Sequence, residues 1–182
     1  MSKTPDTSRR RPKRWVVLVS LVLGGLILGT VMLMFGGSRP VGLVEGRLRS
    51  CPSSPNCVCS QDGDATHTIA ALRFSGDAPA AWKRLEQVLR GLPRTRVVSV
   101  DERYLHVEFT TAVLRFVDDV EFLLDGSDGV IHVRSASRVG YSDLGANRKR
   151  IEGIREIFEA DLQTAPSTDQ AVPPAGTPPK TP

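Results

Sequence analysis

Apolar residues run unbroken by charge from Trp15 to Phe35, scatter over the next thirty or so positions, then recur at regular intervals until about Leu162. Ile69–Phe74 reads as a short strand. Asp77 then sits where a helix N-cap belongs, with Pro79 tolerated in the first turn. Ala81, Trp82, Leu85, Val88, Leu89 and Leu92 recur at three and four, which places one apolar stripe on that helix until Gly91 and Pro93 stop it. Alternation at two then predicts strands over Thr95–Val100 and Tyr104–Thr110 about a turn at Asp101–Arg103. Two more follow, Val117–Leu124 and Val130–Ser135, flanking the Gly-rich DGSDG. A final helix is expected from about Ala146 to Leu162. Consecutive strands between terminal helices describe an α+β domain: an antiparallel sheet of about five strands with two helices on one face. A helix-grip version, the last helix lying across a curved sheet and enclosing a cavity, fits the same order.

The alternation also sets register. Val120, Phe122 and Leu124 must face inward together with Ile131 and Val133. A four-residue loop, Gly126–Gly129, achieves this by pairing Phe122 with Val133 and Leu124 with Ile131. Glu121 then faces Arg134 on the opposite side. There it is joined by Asp119, His132, Tyr104, His106 and Glu108, which makes that side a charged surface. Its plain interpretation is a solvated sheet face whose exposed pairs each contribute under about 1 kcal/mol. The sharper alternative is a metal or acid-base site built from His106, Glu108, Asp119, Glu121 and His132, although no spacing among them selects a geometry.

Charge and composition divide the rest of the chain. The net charge of +4 is uneven, because Lys3, Arg9, Arg10, Arg11, Lys13 and Arg14 outweigh Asp6 to give the arm before Trp15 +5 and leave −1 for everything else. A near-neutral domain lacks the basic field that nucleic acid needs. The 21 uncharged residues from Trp15 are long enough to cross a bilayer, and the cations before them stay on the cytoplasmic side. The expected organisation is therefore a basic cytoplasmic arm (1–14), a transmembrane anchor (15–36) and a linker (37–47). An extracytoplasmic globule (48–164) and a Pro-rich tail (165–182) holding six of the 13 prolines complete it. Gly25 and Gly29 form the G-x-x-x-G through which two anchors pack as a weak dimer.

Cys51, Cys57 and Cys59 all fall within CPSSPNCVCS. In an oxidising compartment two of three would pair, and Cys51–Cys57, closing a loop stiffened by Pro52 and Pro55, is favoured over a metal knot of uncommon spacing.

The segments CPSSPNCV, FVDDVEF and RSASRVGYSDLGANRKRIE, in that order, resemble the domain of unknown function 1499 family of bacterial envelope and plastid proteins. The likeness runs from about Leu48 to Phe158. It implies recurrence of the cysteines at 51 and 57, Cys59 being the departure; the apolar run and its cations add the expectation of a bacterial inner (plasma) membrane. It implies nothing about chemistry, the family being uncharacterised.

The remaining candidate chemistry lies in RSASRVGYSDLGANRKR. Arg134, Ser135, Ser137, Arg138, Tyr141, Asn147 and Arg148 gather small hydroxyls and guanidinium donors just before a helix N-terminus, an arrangement that favours a phosphate or carboxylate. The competing expectation is a structural clamp, in which Asp118, Asp119, Glu121 and Asp143 satisfy those arginines and Ser142 or Asp143 caps the helix. Asn147 shares a helical face with Ile151, Ile154 and Phe158, so its amide should point at the sheet. No nucleophile elbow, H-E-x-x-H, P-loop or dinucleotide fingerprint occurs, and no cofactor is expected. A module binding a small anionic or lipid-like envelope ligand is expected first, a structural or interaction protein second, and a hydrolase-like enzyme using the His/acidic face last.

Overall fold

The computed structural model describes residues 14–35 and 40–164; the basic arm through Lys13 and the tail from 165 lie outside them. Helix α1 (Arg14–Phe35) has no charge after its first residue. Among the described residues no helix is long and apolar enough to cross a membrane. A bilayer span over Trp15–Phe35 thus rests on the sequence.

The domain is α+β and its sheet has six strands rather than five. β5 (Thr95–Val100), β6 (Tyr104–Thr110), β7 (Val117–Asp125) and β8 (Val130–Ser137) form an antiparallel meander. Its β7–β8 register is the expected one, with Phe122 opposite Val133, Leu124 opposite Ile131 and Glu121 opposite Arg134. The far edge of β8 takes two short strands end to end: β3 (Cys57–Cys59) against residues 134–136 and β4 (Leu72–Arg73) against residues 130–131. β3 is the strand the pattern misses, because three residues are too few to display a period. β4 is shorter than the expected Ile69–Phe74, because only Leu72 and Arg73 pair with β8 in the ladder.

Helices α2 (Ala78–Gly91) and α3 (Ala146–Thr164) pack on one face. Asp77 caps α2, its carboxylate accepting from the Ala80 N–H at 2.9 Å. From the α2 stripe Ala81, Trp82, Leu85 and Leu89 are buried; Val88 and Leu92 reach only its margin. They meet Leu105, Val107, Val120, Phe122, Ile131 and Val133 from the sheet and Ile151, Ile154 and Phe158 from α3. These side chains form one continuous core between the helices and the sheet.

The other face differs from expectation. The stretch read as a linker through Arg47 contains a two-stranded hairpin, β1 (Leu43–Val44) and β2 (Arg47–Leu48), turned by Glu45 and Gly46 at φ +52° and +75°. Paired positive φ values are what a two-residue hairpin turn demands. Leu48 packs with Cys59, Leu123, Cys51 and Tyr104 in a second small apolar cluster. The hairpin therefore lies as a strap across the polar side of the sheet.

Candidate functional site

Three polar assemblies lie on or beside β7 and β8, and each owes its position to the alternation of those strands. On the strapped side Glu121, fully buried, receives Arg134 Nη1 at 2.7 Å, the Tyr104 hydroxyl at 2.8 Å and the Gly42 N–H at 2.6 Å. Burial, followed by the Glu121 charge, pushes the Tyr104 hydroxyl well above its ordinary range and keeps it a donor. Nearer the end of β8, Arg138 donates from Nε and Nη2 to both oxygens of Asp119 at 2.8 and 2.7 Å and from Nη2 to Glu108 at 2.6 Å. His106 Nε2 approaches Asp119 to 2.8 Å. Burial alone would raise the Asp119 carboxyl, but the hydrogen bonds from Arg138 and His106 prevail and hold it at about 2. For Glu108, too, burial opposes and Arg138 and Arg96 win, which lowers it.

The solvated face expected from the alternation is thus corrected: Asp119, Glu121, His106 and Arg134 are buried, under the strap in one half and against Arg138 in the other. Nor are the five groups of the metal or acid-base alternative brought together. His132 stands apart with Ser60 at 3.3 Å, and among the described residues no three His, Cys, Asp or Glu side chains are arranged to hold a metal ion.

The second assembly is on the helix side. Asp143 caps α3, accepting from the Gly145 and Asn147 N–H groups at 2.9 and 2.7 Å, and Ser142 does not. Asn147 is fully buried on the face it shares with Ile151, Ile154 and Phe158. Its amide donates to the Asn56 carbonyl at 2.9 Å and to Ser137 Oγ at 3.0 Å, while its oxygen accepts from Ser135 Oγ and Arg150, each at 2.6 Å. Arg150 also reaches Asp118 and stacks over the Phe109 ring. Every valence of the amide is used. Of the anion-site set, Ser135, Ser137, Asn147 and Arg138 are accordingly engaged within the fold. Tyr141 projects into solvent, and Arg148 donates to the Thr66 carbonyl on the surface.

The third assembly includes residues the sequence did not single out. A pocket of about 590 Å³ opens between strap and sheet, lined by Pro40, Val44, Arg47, Leu48, Arg49, Ser50, Cys51, Pro52 and Arg134. It contains three guanidinium groups and no carboxylate. Of the carboxylates beside its lining, Glu121 is paired with Arg134 and Asp62 accepts the Cys51 N–H at 2.7 Å, while Arg47 also borders a second hollow lined by Asp62, Asp125 and Asp128. Among the described residues, the Nε atoms of Arg49 and Arg134 are buried with no hydrogen-bond partner. Arg47 and Arg49 flank Leu48 at strand spacing, a signal split by the boundary expected between a linker ending at Arg47 and a globule starting at Leu48. One wall is fixed by the disulfide, which forms between Cys51 and Cys57 as expected; Cys59 is free and buried, and burial raises its thiol.

Fold and site together define a small α+β domain with a helix-packed face and a strapped polar face, the strap holding a basic pocket. A family model described as a protein of unknown function (DUF1499) matches residues 47–158, more than half of the chain, and the chain belongs to that family. No curated protein matches the sequence.

Proposed function

We propose that this protein is a single-pass membrane-anchored, extracytoplasmic domain that binds a small anionic envelope ligand in the pocket under its strap. The observation that carries the binding site is the buried Arg134, which lines that pocket with one guanidinium N–H unpartnered, beside Arg47 and Arg49 and no lining acid. Arg47, Arg49 and Arg134 outnumber the two carboxylates at the lining, Glu121 and Asp62, and a buried donor without an acceptor costs about 1–3 kcal/mol until one arrives. A forked guanidinium donates to phosphate or carboxylate oxygens, two N–H groups at a time. Support for the anchor comes from the 21 uncharged residues after a cationic arm, and for an oxidising compartment from the disulfide.

The start of α3 is the weaker location for the anion, because Arg138 and Arg150 already hold Asp119, Glu108 and Asp118. Those pairs favour the structural-clamp interpretation for that region. Thermal unfolding of the full-length protein in neutral detergent tests the pocket: inorganic phosphate, against chloride at equal ionic strength, should raise Tm in the native chain and not in an Arg47→Ala/Arg49→Ala variant. No rise in the native chain overturns the proposal.

A further inference from the structure

We infer that the anion taken by the strap pocket is the phosphate headgroup of a bilayer lipid, held while its glycerol portion lies against the apolar wall. This rests on the binding function proposed above. Position is the first argument. Pro40 lines the pocket and is five residues beyond Phe35, where the apolar run ends. Five extended residues span at most about 18 Å. Whatever the chain does between them, the pocket rim cannot leave the neighbourhood of the membrane surface, where lipid headgroups are at far higher effective concentration than a freely diffusing anion.

Lining is the second. The arginines share the pocket with Pro40, Val44, Leu48 and Pro52, and its 590 Å³ falls in the range of about 300–1,000 Å³ typical of organic-ligand sites. Inorganic phosphate would satisfy the guanidinium groups and leave those walls wet. A glycerophosphate unit covers both. The strap continues the same chemistry outward, for Leu43 and Val44 are exposed on the hairpin next to the cationic Arg47. Apolar side chains beside cations are suited to the headgroup and acyl boundary. A lining of three arginines and no acid suits an anionic phosphomonoester better than a zwitterionic headgroup, whose own cation would meet the arginines.

The test uses the full-length protein in neutral detergent, with the Nε–H resonances of Arg49 and Arg134 followed by NMR and Arg49→Lys used for assignment. Dihexanoyl phosphatidic acid should shift both resonances saturably, about tenfold or more tightly than inorganic phosphate, and dihexanoyl phosphatidylcholine should not shift them. Arg49→Ala should weaken the phosphatidic acid response by about tenfold, the loss of one charge-assisted hydrogen bond, with Tm unchanged. Equal affinity for inorganic phosphate would overturn the lipid assignment and leave the anion site standing. Failure of every anion to shift either resonance would remove both. An undiminished response in Arg49→Ala would place the lipid elsewhere and overturn the inference.

Discussion

Asn147 shows what one buried side chain can organise. Its buried amide joins α3 to the Asn56 loop and to the end of β8 by three hydrogen bonds and takes a fourth from Arg150 of its own helix. Asn147→Ala removes one hydrogen bond each from Arg150, Ser135, Ser137 and the Asn56 carbonyl, and urea denaturation should show a loss of about 3 kcal/mol. Breaking the Glu121–Arg134 pair should cost more. Arg134→Met strands a fully buried carboxylate, and a loss of about 3–5 kcal/mol in the same assay is expected. Asp119 makes a prediction about pH. Its folded value of about 2 lies below the ordinary 3.8, so its contribution is complete above about pH 4 and disappears as pH falls toward 2. Acid titration of stability should be flatter for Asp119→Asn across that window by about 2 kcal/mol, and an unchanged slope would show the carboxylate is not held down.

At the scale of elements, the strap is the part whose conformation depends on two residues. Gly46 adopts φ +75°, and a side chain there is strained by about 1–2 kcal/mol. In Gly46→Ala, hydrogen exchange at Leu43 and Leu48 should accelerate while amides of β7 and β8 keep their protection, because the hairpin opens separately from the sheet. The central hairpin, the α2 cap and the α2 stripe were all legible before the fold was known, since each is a local pattern in which neighbouring residues dictate one another's faces. β3 was not. Its pairing with β8 depends on residues about 77 positions away, and CVC has no pattern of its own.

For the whole molecule, compartment and stability are linked through the cysteines. Reducing Cys51–Cys57 frees a short loop and should lower the unfolding free energy by about 2 kcal/mol, seen as a shift of the urea midpoint on adding dithiothreitol. Cys59 is buried and should not react in the native protein. That silence allows a topological test: a Ser167→Cys variant in intact cells should be labelled by a membrane-impermeant maleimide from outside.

Short-range periodicity was enough to determine the two packed helices, the four strands of the meander and the β7–β8 register, because in a half-buried strand a slip of one residue turns every side chain to the wrong face. The same pattern placed Glu121 and Arg134 opposite each other and turned Asn147 toward the sheet. Whether the polar face meets water is a different kind of fact. It depends on a hairpin 73 residues before Glu121, counted from Leu48, folding back across it, and nothing in β7 or β8 encodes that cover. Tertiary structure alone decided that the arginines at the start of α3 are spoken for, while Arg47, Arg49 and Arg134, scattered along the chain, enclose one pocket.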